Sequence, residues 1–142
     1  MLLVAVACSR TESRFATPGA TFRTYQKAVA AQDLDLLWEC YARGFHDSLP
    51  AGREAWGAEW AGGGPAQRAA ELRREITEER VINDRIGYLL FDPSTLTSRR
   101  ESPFFYFVHE TGGWKITTHL DTLFQHELET AIQKGEYKLP DR

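Results

Sequence analysis

The stretch Phe104-Phe105-Tyr106-Phe107-Val108 decides the fold of this chain, together with the segment Thr111-Gly112-Gly113-Trp114-Lys115-Ile116 that follows it. Aromatic and β-branched residues dominate the first segment, and such residues favour β-strands. The glycine pair in the second segment favours a turn between two strands. We therefore predict a strand over residues 98–109, a turn, and a second strand over residues 114–120.

Two further strands are predicted on the N-terminal side of this stretch. Residues 73–82 and 85–92 flank Asn83-Asp84, a pair that is typical of a hairpin turn. The four segments are joined by short turns and irregular stretches. This arrangement predicts an antiparallel meander in the second half of the chain.

Helical patterns occupy the first half and the C-terminus. Thr17-Pro18 is typical of a helix start, and apolar residues then recur at helical spacing to about residue 32. Asp33 begins a second, shorter helix, residues 44–50 form a turn, and a third helical piece ends at the glycine-rich residues 62–65. Residues 122–134 show an amphipathic pattern. The order predicts an α+β fold, in which N-terminal helices pack on a curved antiparallel sheet of four or more strands that forms a cone, with an additional C-terminal helix.

Composition excludes several classes of protein. The chain has 142 residues, a formal net charge of −3 and two cysteines. The length suits one domain, and two cysteines cannot make a disulfide scaffold. A nucleic-acid partner is not expected, because the chain lacks a basic excess. The histidines match no metal-ligand spacing, so neither a metal nor a cofactor is expected.

An uncharged apolar run from Met1 to Ala7 stops at Cys8. Its end, Ala5-Val6-Ala7-Cys8, resembles the lipobox of bacterial lipoproteins, in which the cysteine is lipidated and becomes the mature N-terminus. We expect residues 1–8 to be the remnant of a lipoprotein signal peptide whose basic start is missing, 9–16 a tether, and 17–142 a single domain. This predicts an extracytoplasmic protein of the bacterial cell envelope, anchored to the membrane through lipid on Cys8. The alternative is a cytoplasmic protein in which the run is a short strand or an apolar tail.

Two motifs in this order resemble the nuclear transport factor 2-like superfamily, which includes SnoaL-like and ketosteroid-isomerase-like domains. One is the helix–break–helix stretch between Tyr25 and Trp38, with Ala31-Gln32-Asp33-Leu34 at its break, and the other is Gly112-Gly113-Trp114-Lys115-Ile116. The resemblance covers residues 17–120. It implies a conical α+β fold, often dimeric, with a pocket between the sheet and the helices. Residues 121–142 add a helix and a tail beyond the minimal pattern.

The resemblance also implies where chemistry would lie. Proton-moving enzymes of this superfamily use a carboxylate base and a tyrosine or acid donor inside an apolar pocket, which raises the pKa of the base. The candidate catalytic residues are His46, Asp47 and Tyr106. No carboxylate occupies an inward position of a predicted strand, which disfavours catalysis. A solvated loop in which Asp47 makes a local turn is the alternative for the His46-Asp47 pair.

A ligand pocket is predicted if the strand faces that carry tyrosines look inward. Tyrosine hydroxyls and indole rings would then line it, in the composition common to small-molecule sites. Trp56 and Trp60 lie beside the glycine-rich break and are candidates for a mobile lid, while core packing is the alternative for the tryptophans. We expect the pocket to be lined by Trp38, Tyr41, Trp56, Trp60, Tyr88 and Tyr106.

Three functions remain open from the sequence. The first is a lipid-anchored binding or interaction domain, whose partner is a small apolar ligand or another envelope protein, without catalysis. The second is a small isomerase- or cyclase-like enzyme that acts on a hydrophobic ketone-type substrate. The third is a structural domain that forms a homodimer through the aromatic sheet face of residues 104–108. We expect Cys40 to be a buried thiol, because no base or cation lies near it in sequence.

Overall fold

A computed structural model describes residues 13–140 of the chain. It confirms the predicted α+β architecture, with helices before a four-stranded antiparallel sheet and one helix after it. Short 3-10 helices cover Ser13–Phe15 and Pro93–Thr95. The α-helices are α1 Pro18–Ala31, α2 Leu34–Glu39, α3 Arg43–Ser48, α4 Gly52–Gly62, α5 Gly64–Arg73 and α6 Thr122–Gln133. The strands are β1 Ile76–Val81, β2 Ile86–Phe91, β3 Phe104–Glu110 and β4 Gly113–Thr117.

The starts of α1 and α2 follow from local capping. Thr17 accepts a hydrogen bond from the Ala20 N–H, and Pro18 supplies the preset φ of the first helical turn. Asp33 accepts from the Leu36 N–H in the same way. One expectation was wrong: residues 43–48 form the helix α3 instead of a turn. The N–H of His46 bonds to the carbonyl of Ala42 and closes a helical turn. The glycine at position 44 made this turn difficult to recognise in the sequence.

All four strands are shorter than predicted, β2 by only one residue at each end. Helix α5 continues to Arg73, so β1 begins at Ile76. The chain turns at Ser98–Glu101, where the Glu101 N–H bonds to the Ser98 carbonyl, and β3 begins only after Pro103. Strand β4 ends at Thr117 because the next residues turn into the start of α6.

The sheet is a meander in the order β1-β2-β3-β4. One side of it, the helix face, packs against α1 and contains Leu89, Phe91, Phe107, Trp114 and Ile116, all buried with Phe22 and Tyr25 of α1. The folded body begins before residue 17, because Phe15 is 1% exposed and belongs to this core.

The opposite side of the sheet, the back face, carries Ile86, Tyr88, Phe104, Tyr106 and Val108. Register pairs Tyr88 with Tyr106 and Tyr106 with Thr117, so these residues share a side. Helix α6 covers this side through Phe124 and Leu128, which pack on Ile86, Val108 and Tyr106. The proposed homodimer surface of residues 104–108 is thus partly occupied by α6, and the homodimer itself stays a prediction.

Within residues 13–140, no helix combines the length and the apolar character that crossing a membrane requires. Cys8, on which the predicted anchor depends, lies outside the described residues.

Candidate functional site

A cavity of about 290 Å³ lies where strand β4 stops short of its neighbour. Tyr106 pairs with Thr117, the last residue of β4, so Phe104 and Phe105 of β3 run past the end of that strand. Segment 41–45 closes the other side, because Tyr41 forms a parallel bridge with Ile116. We call this the sheet-end cavity; it is lined by Tyr41, Phe45, Ser102, Phe104, Phe105, Tyr106, Ile116, Thr117, Thr118 and His119.

The walls of the sheet-end cavity are mainly aromatic. The rings of Tyr41 and Phe45 stack with centroids 4.3 Å apart, and those of Phe104 and Tyr106 stack at 5.9 Å. None of its lining residues is Asp, Glu, Lys or Arg. The polar groups come from the two ends that frame the opening, Ser102 before β3 and Thr118 and His119 after β4. The arrangement suits an apolar molecule with a small uncharged polar group.

Tyr41 and Tyr106 are the two predicted pocket residues that meet in this cavity. Burial raises the pKa of both phenols, Tyr106 with a smaller contribution from Tyr137. Both phenols therefore remain protonated and uncharged at neutral pH.

Three tryptophans that were expected to line the pocket, Trp38, Trp56 and Trp60, form a separate aromatic cluster next to Tyr41. Trp56 is 7% exposed and lies 5.0 Å from Trp38 and 6.3 Å from Trp60 between ring centroids. Its ring also meets that of Tyr41 edge-on at 5.8 Å. Trp56 is therefore a core residue that supports the cavity wall from behind, and this packing leaves the lid interpretation of Trp56 without structural support.

His46 and Asp47 lie outside the sheet-end cavity. The His46 ring stacks on Trp38 with centroids 3.7 Å apart, and its Nε2 is 3.0 Å from the Trp38 carbonyl oxygen. A carbonyl only accepts, so we assign the ring proton to Nε2. Burial lowers the pKa of His46, which keeps the ring neutral. Asp47 is exposed on α3, and the structure does not bring this pair together with Tyr106.

Tyr88 lies on the back face, apart from the cavity. Its hydroxyl donates to Oε1 of Glu78 at 3.1 Å, and its ring meets that of Tyr137 at 6.3 Å. Burial raises the pKa of Tyr88 to about 12, with Tyr137 as a further cause. Tyr88 was expected to line the pocket together with Tyr41 and Tyr106, and the structure does not place it in the lining of the sheet-end cavity. Strand alternation puts the two sheet tyrosines on the back face, while Tyr41 packs with Tyr25 on the helix side.

A buried polar network lies behind the cavity wall and was missed in the sequence. The Tyr25 hydroxyl donates to Oε2 of Glu71 at 2.8 Å, and the Arg74 guanidinium pairs with both Glu71 and Glu101. Arg74 also lies 4.9 Å above the ring of Phe105, a wall residue. Burial raises the pKa of Tyr25 and of Glu71. The signal was available: a tyrosine within a buried helical stripe needs a partner for its hydroxyl.

Cys40 is fully buried, and its thiol donates to the Leu36 carbonyl at 3.3 Å between sulfur and oxygen. Burial raises the pKa of the thiol to about 12. A thiol with this pKa is not a nucleophile at neutral pH. Among the described residues, no group of three or more His, Cys, Asp and Glu side chains is placed to hold a metal ion.

Comparison of the chain with protein-family models, with curated proteins and with solved structures found no match, so the resemblance to the nuclear transport factor 2-like superfamily stays a prediction.

Proposed function

We propose that this protein is a lipid-anchored extracytoplasmic domain that binds a small, uncharged, apolar molecule in the sheet-end cavity. The observation that carries the proposal is the cavity itself, which measures about 290 Å³, is walled by aromatic rings and has no Asp, Glu, Lys or Arg in its lining. A pocket of this composition stabilises apolar ligands by removing their surface from water.

The aromatic packing between α1 and the sheet favours binding over catalysis. The space between α1 and the sheet is occupied by the rings of Phe22, Tyr25, Phe91 and Phe105, with centroid separations of 4.9–5.8 Å. The candidate catalytic residues also lie apart, with Tyr106 in the cavity and His46 against Trp38. General acid–base catalysis needs both groups within hydrogen-bond reach of one substrate.

The proposal is tested by closing the cavity from its rim. Ser102 is exposed and lines the opening, so Ser102→Trp places an indole across it without removing any core side chain. The matched control is Ser98→Trp, an exposed serine of the same loop outside the cavity lining.

The readout is the fluorescence of the uncharged dye Nile red, titrated into each purified protein. We expect saturable binding by the parent protein and by Ser98→Trp, and loss of that binding in Ser102→Trp. Equal dye binding by all three proteins contradicts the assignment of the ligand to this cavity. Circular dichroism checks that both variants are folded.

A further inference from the structure

Phe104 carries a main-chain carbonyl that strand β4 does not reach. In the β3–β4 hairpin, Glu110 pairs with Gly113 across a two-residue turn, so the even-numbered residues of β3 direct their N–H and C=O groups toward β4. The odd-numbered residues bond to β2 instead, as the Pro103 carbonyl does with the Phe91 N–H. The Phe104 carbonyl therefore points to the side on which the sheet-end cavity lies.

His119 would be the residue opposite Phe104 if β4 continued. It does not pair there, because the chain turns at Thr118 and the Asp121 N–H bonds back to the Thr118 carbonyl. Within residues 13–140, no N–H or hydroxyl group donates to the Phe104 carbonyl, while the Phe104 N–H donates to Oγ of Ser102 at 3.2 Å. The cavity thus contains a strong acceptor that the fold does not use.

Two hydroxyl groups at the same opening are available as donors. Oγ of Ser102 accepts from the Phe104 N–H, and Oγ1 of Thr118 accepts from the Leu120 N–H at 3.3 Å. Each oxygen already receives a hydrogen bond, so each hydroxyl proton can be donated to a ligand. Thr117 differs, because its hydroxyl donates to Asp121 inside the protein.

The polar end of the cavity therefore offers one main-chain acceptor and two hydroxyl donors around an aromatic chamber. A hydroxyl group donates and accepts at once, so it satisfies both kinds of partner. A ketone or ether only accepts and leaves the Phe104 carbonyl unpaired, and a carboxylate would lose its hydration in a cavity whose lining contains no Lys or Arg. We propose that the ligand is an apolar alcohol or phenol whose hydroxyl group donates to the Phe104 carbonyl and accepts from Ser102 or Thr118.

This inference rests on the proposed binding function and adds the polar group of the ligand. It is tested on the full chain with two probes of matched shape, 1-naphthol and 1-methylnaphthalene, titrated calorimetrically at neutral pH. One additional hydrogen-bonding group is expected to make 1-naphthol bind about tenfold more tightly. Equal affinities of the two probes overturn the hydroxyl requirement and leave the proposed function intact. Failure of both probes to bind overturns the proposed function as well.

A variant pair separates the hydrogen bond from simple burial. Ser102→Ala removes one donor from the opening. The affinity for 1-naphthol should therefore decrease several-fold, while the affinity for 1-methylnaphthalene should not change. Ser98→Ala is the control, since Ser98 lies in the same loop but outside the cavity lining. A Ser102→Ala/Thr118→Ala double variant that binds both probes like the parent protein shows that these hydroxyls do not contact the ligand, and it overturns the inference.

Discussion

The phenol hydroxyl of Tyr25 in α1 donates a hydrogen bond of 2.8 Å to Oε2 of Glu71 in α5, 46 residues later in the chain. The Tyr25 side chain is 1% exposed, and water does not replace a partner lost at such a position. This bond joins α1, which covers the sheet, to α5, which precedes the sheet in the chain. It lies directly behind the wall of the sheet-end cavity.

Tyr25→Phe is expected to lower the free energy of unfolding by about 1–3 kcal/mol, because Glu71 loses a buried donor. The measurement is urea denaturation followed by tryptophan fluorescence. Tyr88→Phe is the matched control, since Tyr88 also donates to a glutamate, Glu78, but one that is exposed to water. Equal losses in the two variants would contradict the importance of burial at Tyr25.

Glu71 gives the stability a specific pH dependence. Burial raises its pKa in the folded protein above the ordinary value of 4.5. The folded state therefore holds this proton more tightly than the unfolded state, and the resulting stabilisation is present below pH 4.5 and is lost as the pH rises through the folded-state pKa. Glu71→Gln does not titrate, so its stability relative to the parent protein should increase as the pH rises across this window.

Unfolding curves measured from pH 4 to pH 7 test the direction of this pH dependence. The control is Glu59→Gln, which replaces an exposed glutamate on α4 and separates the effect of burial at Glu71 from that of the substitution itself. A Glu71→Gln difference that stays constant, or that decreases with rising pH, contradicts the direction of the shift.

Gly113 begins β4 with a φ of 124°, which L-residues with a side chain rarely adopt. A Cβ atom there would also collide with the main chain of Phe15, whereas at Gly112 it would meet only the flexible end of Lys115 at 3.6 Å. We expect Gly113→Ala to cost more than about 2 kcal/mol of stability and Gly112→Ala less than about 0.5 kcal/mol. Thermal unfolding of the two variants is the comparison, and equal costs would show that Phe15 does not pack against the turn.

Asp121 caps α6 and fixes it to the sheet. One carboxylate oxygen accepts from the Leu123 N–H at 2.9 Å, and the other accepts from the Thr117 hydroxyl at 2.5 Å. Asp121→Ala should lower the free energy of unfolding by about 1–2 kcal/mol. Asp121→Asn should lower it less, because the amide oxygen still caps the helix. Hydrogen exchange should show faster exchange in α6 of the alanine variant; unchanged protection would mean that packing alone holds the helix.

The predicted membrane anchor depends on Cys8, which lies outside the described part of the structure. In a bacterium that expresses the gene with a complete signal sequence, we expect the protein to incorporate a palmitate analogue and to fractionate with membranes. Cys8→Ala should lose the label and release the protein, whereas Cys40→Ala should retain both properties. A protein that carries no label contradicts the lipoprotein hypothesis.

The order of elements was predictable because each depends on neighbours in sequence. The aromatic run at 104–108 with its glycine turn predicted the central hairpin, and Thr17 and Asp33 stand at helix starts where their side chains cap main-chain N–H groups. Tyr41 and Tyr106, two of the six residues expected to line a pocket, lie together in the lining of the sheet-end cavity. The sequence did not predict which side of the sheet the N-terminal helices cover. Alternation shows that Tyr88 and Tyr106 share a face, but it does not say which face the helices cover.

The amino-acid sequence by itself determined the fold class, the meander and the caps, since periodicity, turn residues and capping act over a few positions. Only the tertiary structure decided the site. The sheet-end cavity exists because β4 stops at Thr117, two residues short of the start of β3, and because the segment after α2 closes the opposite side. The Phe104 carbonyl and the Tyr25–Glu71 bond depend equally on residues far apart in the chain. The physical reason is that an unpaired main-chain group or a buried partner is a property of packing between elements, which no local pattern encodes.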